Sequence, residues 1–295
     1  MPLWPLAVLG GLLIWAYFPM LAVFADKWLN DPQYSHGLIV PLFSAYLIRR
    51  AWRAGDFVPQ PMPVLGCSLL LVVLGMRVVA GSLLFHQLDA ASLLLALAAV
   101  NIAAGGLPLL KRTGPAIAFL VFMIPLPYEL ERNVGQPLKM AATVSSTFVL
   151  QLLGQPAIRD GNLILIDEVR LGVVDACSGL KMLMTFAAFS VGAVLLMDRS
   201  RFEKFMIVLG IVPIAIASNV LRIVATGLSY VCFSTPRVTE FLHDLHGWLM
   251  MPVGLGLLAL ELWVLGRLVL ASESEPVTDT TTAPIPSGLL RPAAA

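Results

Sequence analysis

Residues 205–232 read FMIVLGIVPIAIASNVLRIVATGLSYVC, an apolar stretch with a single charge, Arg222, set inside it. About twenty such residues coil into a helix long enough to cross the ~30 Å hydrocarbon core of a bilayer. A guanidinium there costs about 2.5 kcal/mol or more at the bilayer centre, so its presence points to a use. Asn219 precedes Arg222 by one turn and shares its face by i, i+3 spacing.

Similar stretches recur along most of the chain. The sequence is 58% hydrophobic and only 13% charged, with a mean hydropathy of +0.87. That balance belongs to a membrane protein. Spans are expected at 3–24, 36–53, 62–85, 87–109, 114–127, 178–197, 205–232 and 245–269. The expected fold class is therefore an all-α polytopic membrane protein of about eight transmembrane helices. One integral membrane domain covers 1–270, with no second domain after it, and 271–295, rich in Ser, Thr, Pro and Ala, is expected as a disordered cytoplasmic tail. Residues 1–25 lack a basic n-region and are read as a span rather than a cleaved leader. A formal charge of +1 argues against nucleic acid as a partner. Three cysteines, Cys67, Cys177 and Cys232, without CxxC spacing give neither a disulfide framework nor a zinc site. Cys67 and Cys232 read as small buried hydrophobes.

Two segments break the pattern. The stretch 133–154 is long enough to span, but Gln136, Lys139, Thr143, Ser145, Ser146, Thr147 and Gln151 make it polar. Leaving it out of the count puts Arg49-Arg50-Arg53, Lys111-Arg112 and Arg199-Arg201-Lys204 on one side, the cytoplasmic one by the positive-inside rule. An interfacial helix along the outer leaflet is the reading that keeps this parity. Between 157 and 174, Leu163, Leu165, Val169, Leu171 and Val173 recur with period two around Asp167-Glu168, which suggests a short extracytoplasmic β-hairpin.

That hairpin leads into Asp175-Ala176-Cys177-Ser178-Gly179-Leu180, which places a thiol at the mouth of the span starting near 178. Under the same topology Arg222 falls in the outer half of its span, and His243 just precedes the last one. Three separated groups thus meet at one depth on one face. A helix N-terminus favours the thiolate of Cys177. An imidazole can take its proton, and a guanidinium can hold the oxyanion formed when a thiolate attacks an amide. Asn219 can orient Arg222 or donate to the oxyanion, and Gly179 admits a close substrate backbone. Asp175 can fix the imidazole but, as an anion, would raise the thiol pKa; its role stays open. His246 shares the face of His243, so spacing alone does not choose between them. His36 either lines the site or sits at the interface, Arg77 reads as snorkelling to the headgroups, and His86 as interfacial.

Ala176-Cys177-Ser178-Gly179-Leu180, Asn219-Val220-Leu221-Arg222-Ile223 and His243-Asp244 with Gly247-Trp248-Leu249 resemble, in order and approximate spacing, the three motif blocks of exosortases and archaeosortases. Ser35-His36-Gly37, Pro125-Leu126-Pro127 and Gly161-Asn162 add to the resemblance, which covers roughly 33–265. It implies a membrane cysteine transpeptidase of the bacterial inner membrane, its site facing the periplasm or exterior. Its partners would be membrane-anchored proteins with a C-terminal sorting signal (PEP-CTERM-like): a Pro-Glu-Pro-type motif, an apolar helix and a basic cluster. Carried over by position, Cys177 is the nucleophile, Arg222 the electrostatic partner and His243 the acid–base. Ser178 and Asp244 lie beside them in the motifs, and the aspartate after the histidine selects His243 over His246. No metal or cofactor is expected. Two other classes remain in view: a transporter, which would show internal repeats and midplane charges, and a membrane acyltransferase acting on lipid or glycan.

Overall fold

The computed structural model describes residues 4–31, 34–53, 55, 58–167, 169–172, 179–233 and 235–268. Cys177, Asp175 and Ser178 lie outside the described residues, as does the expected tail 271–295. The described helices are α1 (Trp4–Ala16), α2 (Phe18–Asn30), α3 (Ile39–Arg53), α4 (Pro63–Leu83), α5 (His86–Phe119) and α6 (Tyr128–Leu152), then α7 (Gly179–Leu196), α8 (Arg201–Cys232) and α9 (Pro236–Leu268). Three strands lie between α6 and α7: β1 (Ala157–Asp160), β2 (Leu163–Ile166) and β3 (Val169–Gly172).

By length and composition, four of the described helices can cross a membrane, or five if the bent pair α1–α2 counts as one span. The expected count of eight is not reproduced on that measure, and the differences have local causes. The first expected span breaks at Tyr17, where the axis bends by 75°. Pro19 sits at the second position of α2 and has no N–H to continue the ladder. The Ala16 carbonyl is taken by Arg77 Nη2 at 2.7 Å, and Arg77 also pairs with Asp89 at 3.1 Å. Arg77 is thus a clamp on the bend, not a snorkelling cation.

The spans expected at 87–109 and 114–127 join in α5, but α5 is not straight. Gly106 has φ +71, and Thr113 Oγ1 donates to Asn101 Oδ1 at 3.0 Å. Twelve residues of straight helix would separate those groups by about 18 Å, so the chain folds back on itself at Gly106. Only glycine fits there, because a Cβ would overlap the Gln60 carbonyl. Residues 60 and 62 satisfy the carbonyls exposed by the break, Gln60 N bonding Gly105 O and Met62 N bonding Ile102 O, each at 3.1 Å.

The basic clusters share one end of the molecule. Arg50 Nη1 donates to Leu196 O at 2.9 Å, Arg112 reaches the Ala51 and Gly55 carbonyls, and Arg199 lies over Gly266. This proximity comes from side-chain contacts alone and agrees with the grouping that the charge rule required.

Helix α6 falls short of a spanning helix in hydropathy, but its pattern is the reverse of a soluble amphipathic helix. Thr143, Ser146 and Thr147 face inward, against α8 and the sheet, while Met140, Val144, Phe148 and Leu152 are exposed. Thr143 and Thr147 return their hydroxyls to carbonyls one turn back, at 2.8 Å each. Small hydroxyl residues let helix backbones approach closely, as at membrane helix interfaces.

The expected hairpin is a three-stranded antiparallel sheet in the order β1-β2-β3. Its first turn is Gly161-Asn162, with Gly161 at φ +60, and its second includes Asp167 at φ +51. The buried face carries Ile164, Ile166 and Leu171; Leu163 and Leu165 point the other way. The four residues of β2 are all apolar, so alternation alone does not select its inner face. Packing does: Gly227 of α8 leaves room for Leu171 and Ile166, whose methyls would lie 3.0 and 3.3 Å from an added Cβ. Cys67 and Cys232, expected to be buried, are exposed; on a membrane helix the outer face meets hydrocarbon, so an apolar thiol loses nothing there.

Candidate active site

Helix α8 is the hub of the C-terminal half, packing on α6, α7 and α9 and touching β3. Its capping box, Ser200 with Glu203, fixes its start. Its faces are divided by sequence spacing. Ile223, Val224 and Gly227 serve the sheet, whereas Ile207, Ile211 and Ile214 join Met182 and Phe186 of α7 and Met250 and Leu258 of α9 in a second core. Asn219, Arg222 and Thr226 form a third, polar stripe at helical spacing.

That stripe meets α9. A methyl group on Gly247 would lie 3.5 Å from Arg222 Nη2 and 3.9 Å from Cζ, so the guanidinium rests on the bare backbone of Gly247. His243 stands one turn before Gly247 on the same face. Arg222, His243 and Asp244 line one cavity of about 680 Å³. One turn further along α8, Thr226 Oγ1 lies 3.4 Å from His246 Nδ1. The two histidines are therefore divided by the fold: His246 turns to Thr226, and His243 turns to the cavity.

Arg222 Nε and His243 Nδ1 are both buried and have no hydrogen-bond partner among the described residues. A buried polar atom left unpaired costs about 1–3 kcal/mol, so both atoms are open to a further partner. His243 differs from expectation in one respect. Helix α9 begins at Pro236 rather than near 245, so His243 sits two turns inside it. Counted along the helices, Arg222 and His243 lie about 10–15 Å from the turn that joins α8 to α9. The expected span started near 245 with His243 just before it, whereas a prolyl start carries the helix two turns further toward its N-terminus.

Asn219 is buried and abuts the start of α7: a methyl on Gly179 would lie 3.2 Å from Asn219 Nδ2 and 3.8 Å from Leu138 Cβ. The sequence reading paired Asn219 with Arg222 and gave Gly179 to the substrate; the fold adds a close contact between Asn219 and Gly179. His36 is buried but lines a neighbouring apolar cavity, while Ser35 beside it lines the Arg222–His243 cavity. The turn that carries both is fixed by Trp28, whose indole occupies the place of a Gly37 side chain and whose Nε1 donates to Met123 O at 2.9 Å. Asp31 and Thr185 also line the cavity and were not singled out from the sequence. Asp31 could have been found as an acid just ahead of Tyr34-Ser35-His36. Thr185 carries no sequence signal, being one hydroxyl within an apolar helix.

Fold and site together define a multi-pass membrane protein with a polar centre buried between two spanning helices. The chain belongs to the transmembrane exosortase family, whose model matches residues 28–260. No curated protein and no solved structure gives a significant match. Membership supports a membrane transpeptidase-type role, and the matched segment contains Cys177, Arg222 and His243.

Proposed function

We propose that this protein is a cysteine transpeptidase that cleaves PEP-CTERM-like C-terminal sorting signals of exported, membrane-anchored proteins at the outer face of the bacterial inner membrane. The observation that carries the reading is the pairing of two unsatisfied groups, Arg222 Nε and His243 Nδ1, in residues that line one cavity. Chain connectivity adds to it. Gly179 rests on Asn219, and Cys177 is two residues away, at most about 7 Å along an extended backbone. At the other end of that connection, β3 packs on Gly227. Both anchors lie on α8, and Arg222 is between them in sequence.

The chemistry follows from the three side chains. The Cys177 thiol gives its proton to His243 and its sulfur attacks the scissile carbonyl carbon. The oxyanion is held by Arg222, whose charge in a water-poor site is worth far more than in bulk solvent. Collapse expels the amine, which takes the proton from His243, and leaves a thioester on Cys177. A second nucleophile, deprotonated by the same imidazole, releases the acyl group.

Replacement of Cys177 by Ala, with a co-expressed protein bearing a Pro-Glu-Pro-type motif, an apolar helix and terminal arginines, tests this directly. Accumulation of the uncleaved protein is expected. Full processing by the Cys177→Ala variant would end the proposal.

A further inference from the structure

Beside the catalytic cavity lies a second one, of about 260 Å³. Its walls are α3, through Ile39, Val40 and Phe43, and α7, through Ala188, Gly192 and Leu196; Phe119 forms its floor. Apart from His36 and Thr185 at one end it is apolar, and Thr185 is shared with the catalytic cavity. Gly192 keeps the groove open: a methyl there would already stand 3.4 Å from the Phe43 ring and 3.6 Å from Phe119.

Three physical facts limit what fills it. Water needs two to four polar partners per molecule, and the groove offers them only at the Thr185 end. A packed helix is about 10–12 Å across, wider than the gap beside Gly192, where an added methyl would already touch the Phe43 and Phe119 rings. From Thr185 to Leu196 the groove runs eleven residues of α7, about 16 Å, which matches one leaflet of a ~30 Å hydrocarbon core. At the far end Arg50, exposed, is held at the lip by its bond to Leu196 O at 2.9 Å. A cation stands where a chain entering the groove would carry its headgroup.

We infer that this groove binds one acyl chain of an anionic phospholipid from the leaflet on the Arg50 side, with the phosphate at Arg50 and the chain end against Thr185. The lipid packs behind the wall of the catalytic cavity without reacting, and the inference does not depend on the cysteine chemistry.

The test uses the full-length protein in nanodiscs of phosphatidylethanolamine and phosphatidylglycerol, with tracer phosphatidylglycerol carrying a diazirine at its acyl terminus. After irradiation, peptide mapping is expected to find label concentrated on α7 near Thr185, well above that on the exposed face of α4. Gly192→Leu should lower the α7 label at least fivefold and leave the α4 label unchanged. Arg50→Gln, at an exposed position that should fold normally, should lower it severalfold and reduce the phosphatidylglycerol retained in native mass spectra. Equal labelling of α4 and α7, or α7 labelling indifferent to both substitutions, would mean ordinary boundary lipid and overturn the inference.

Discussion

The N-terminal half, α1 to α5, and the C-terminal half, α6 to α9 with the sheet, differ in how many buried polar atoms stay unmatched among the described residues. In the first, hydroxyls, an indole and a guanidinium are matched across helices. Tyr17 Oη and Ser92 Oγ lie 2.8 Å apart, Ser44 donates to Ala116 O at 2.8 Å, Trp28 to Met123 O, and Arg77 to both Asp89 and Ala16 O. In the second, Thr143, Thr147 and Glu203 are matched within their own helix or cap, but Ser146, Ser190, Ser218, Arg222, His243 and Glu261 each keep a buried polar atom without a partner among the described residues. Matched groups in hydrocarbon-like surroundings hold helices together, since losing a partner there is costly. Unmatched groups carry that cost in the resting fold, which is reasonable only where something else completes them.

This contrast can be broken by substitution, and the largest effect is expected at the unmatched pair. His243→Gln should lower substrate processing roughly 10²–10⁴-fold, the usual contribution of an acid–base residue, whereas His246→Gln should cost less than about tenfold. Equal losses at the two positions would show that the fold does not separate them. Arg222→Gln should lower processing roughly 10²–10³-fold, as loss of an oxyanion donor does. Its thermal midpoint should hold or rise, because a buried N–H without a partner among the described residues has been removed. A fall in midpoint with activity preserved would move Arg222 to the structural class.

The matched half should answer in stability instead. Arg77→Leu strands Asp89 and the Ala16 carbonyl at the 75° bend, and about 2 kcal/mol of destabilisation is expected for a partly exposed pair. The thermal unfolding of the detergent-solubilised protein reads it, and processing by the folded fraction should stay near normal. Gly227→Leu lies between the two regimes: overpacking against Leu171 and Ile166 should cost about 1–3 kcal/mol. It should also lower processing, since it pushes the sheet from the helix that carries Arg222. Tyr17→Phe is the smallest, about 1 kcal/mol for one hydrogen bond to Ser92. A loss of processing without loss of stability in Tyr17→Phe or Arg77→Leu would erase the distinction between the halves.

Hydropathy and spacing by themselves indicated that the chain is a membrane protein, that basic residues group at one end, and that Arg222 falls near a helix end that also carries His243 and His246. These are properties of composition and local period: twenty apolar residues make a span wherever they occur, and an arginine inside one needs a reason. The motif order pointed to His243, but the division of labour between His243 and His246 rests on Thr226, one turn beyond Arg222, which only helix pairing brings to His246. The reversal at Gly106 depends on the Gln60 carbonyl, forty-six positions away in sequence, and the bend at Tyr17 on Arg77. The period-two reading of β2 picked out Leu163 and Leu165, but the buried residues are Ile164 and Ile166, which pack where a glycine on α8 leaves room. Local sequence sets the period of an element. Which side of it is buried, and what its polar groups meet, is set by neighbours that are distant in the chain, and those exist only once the helices have packed.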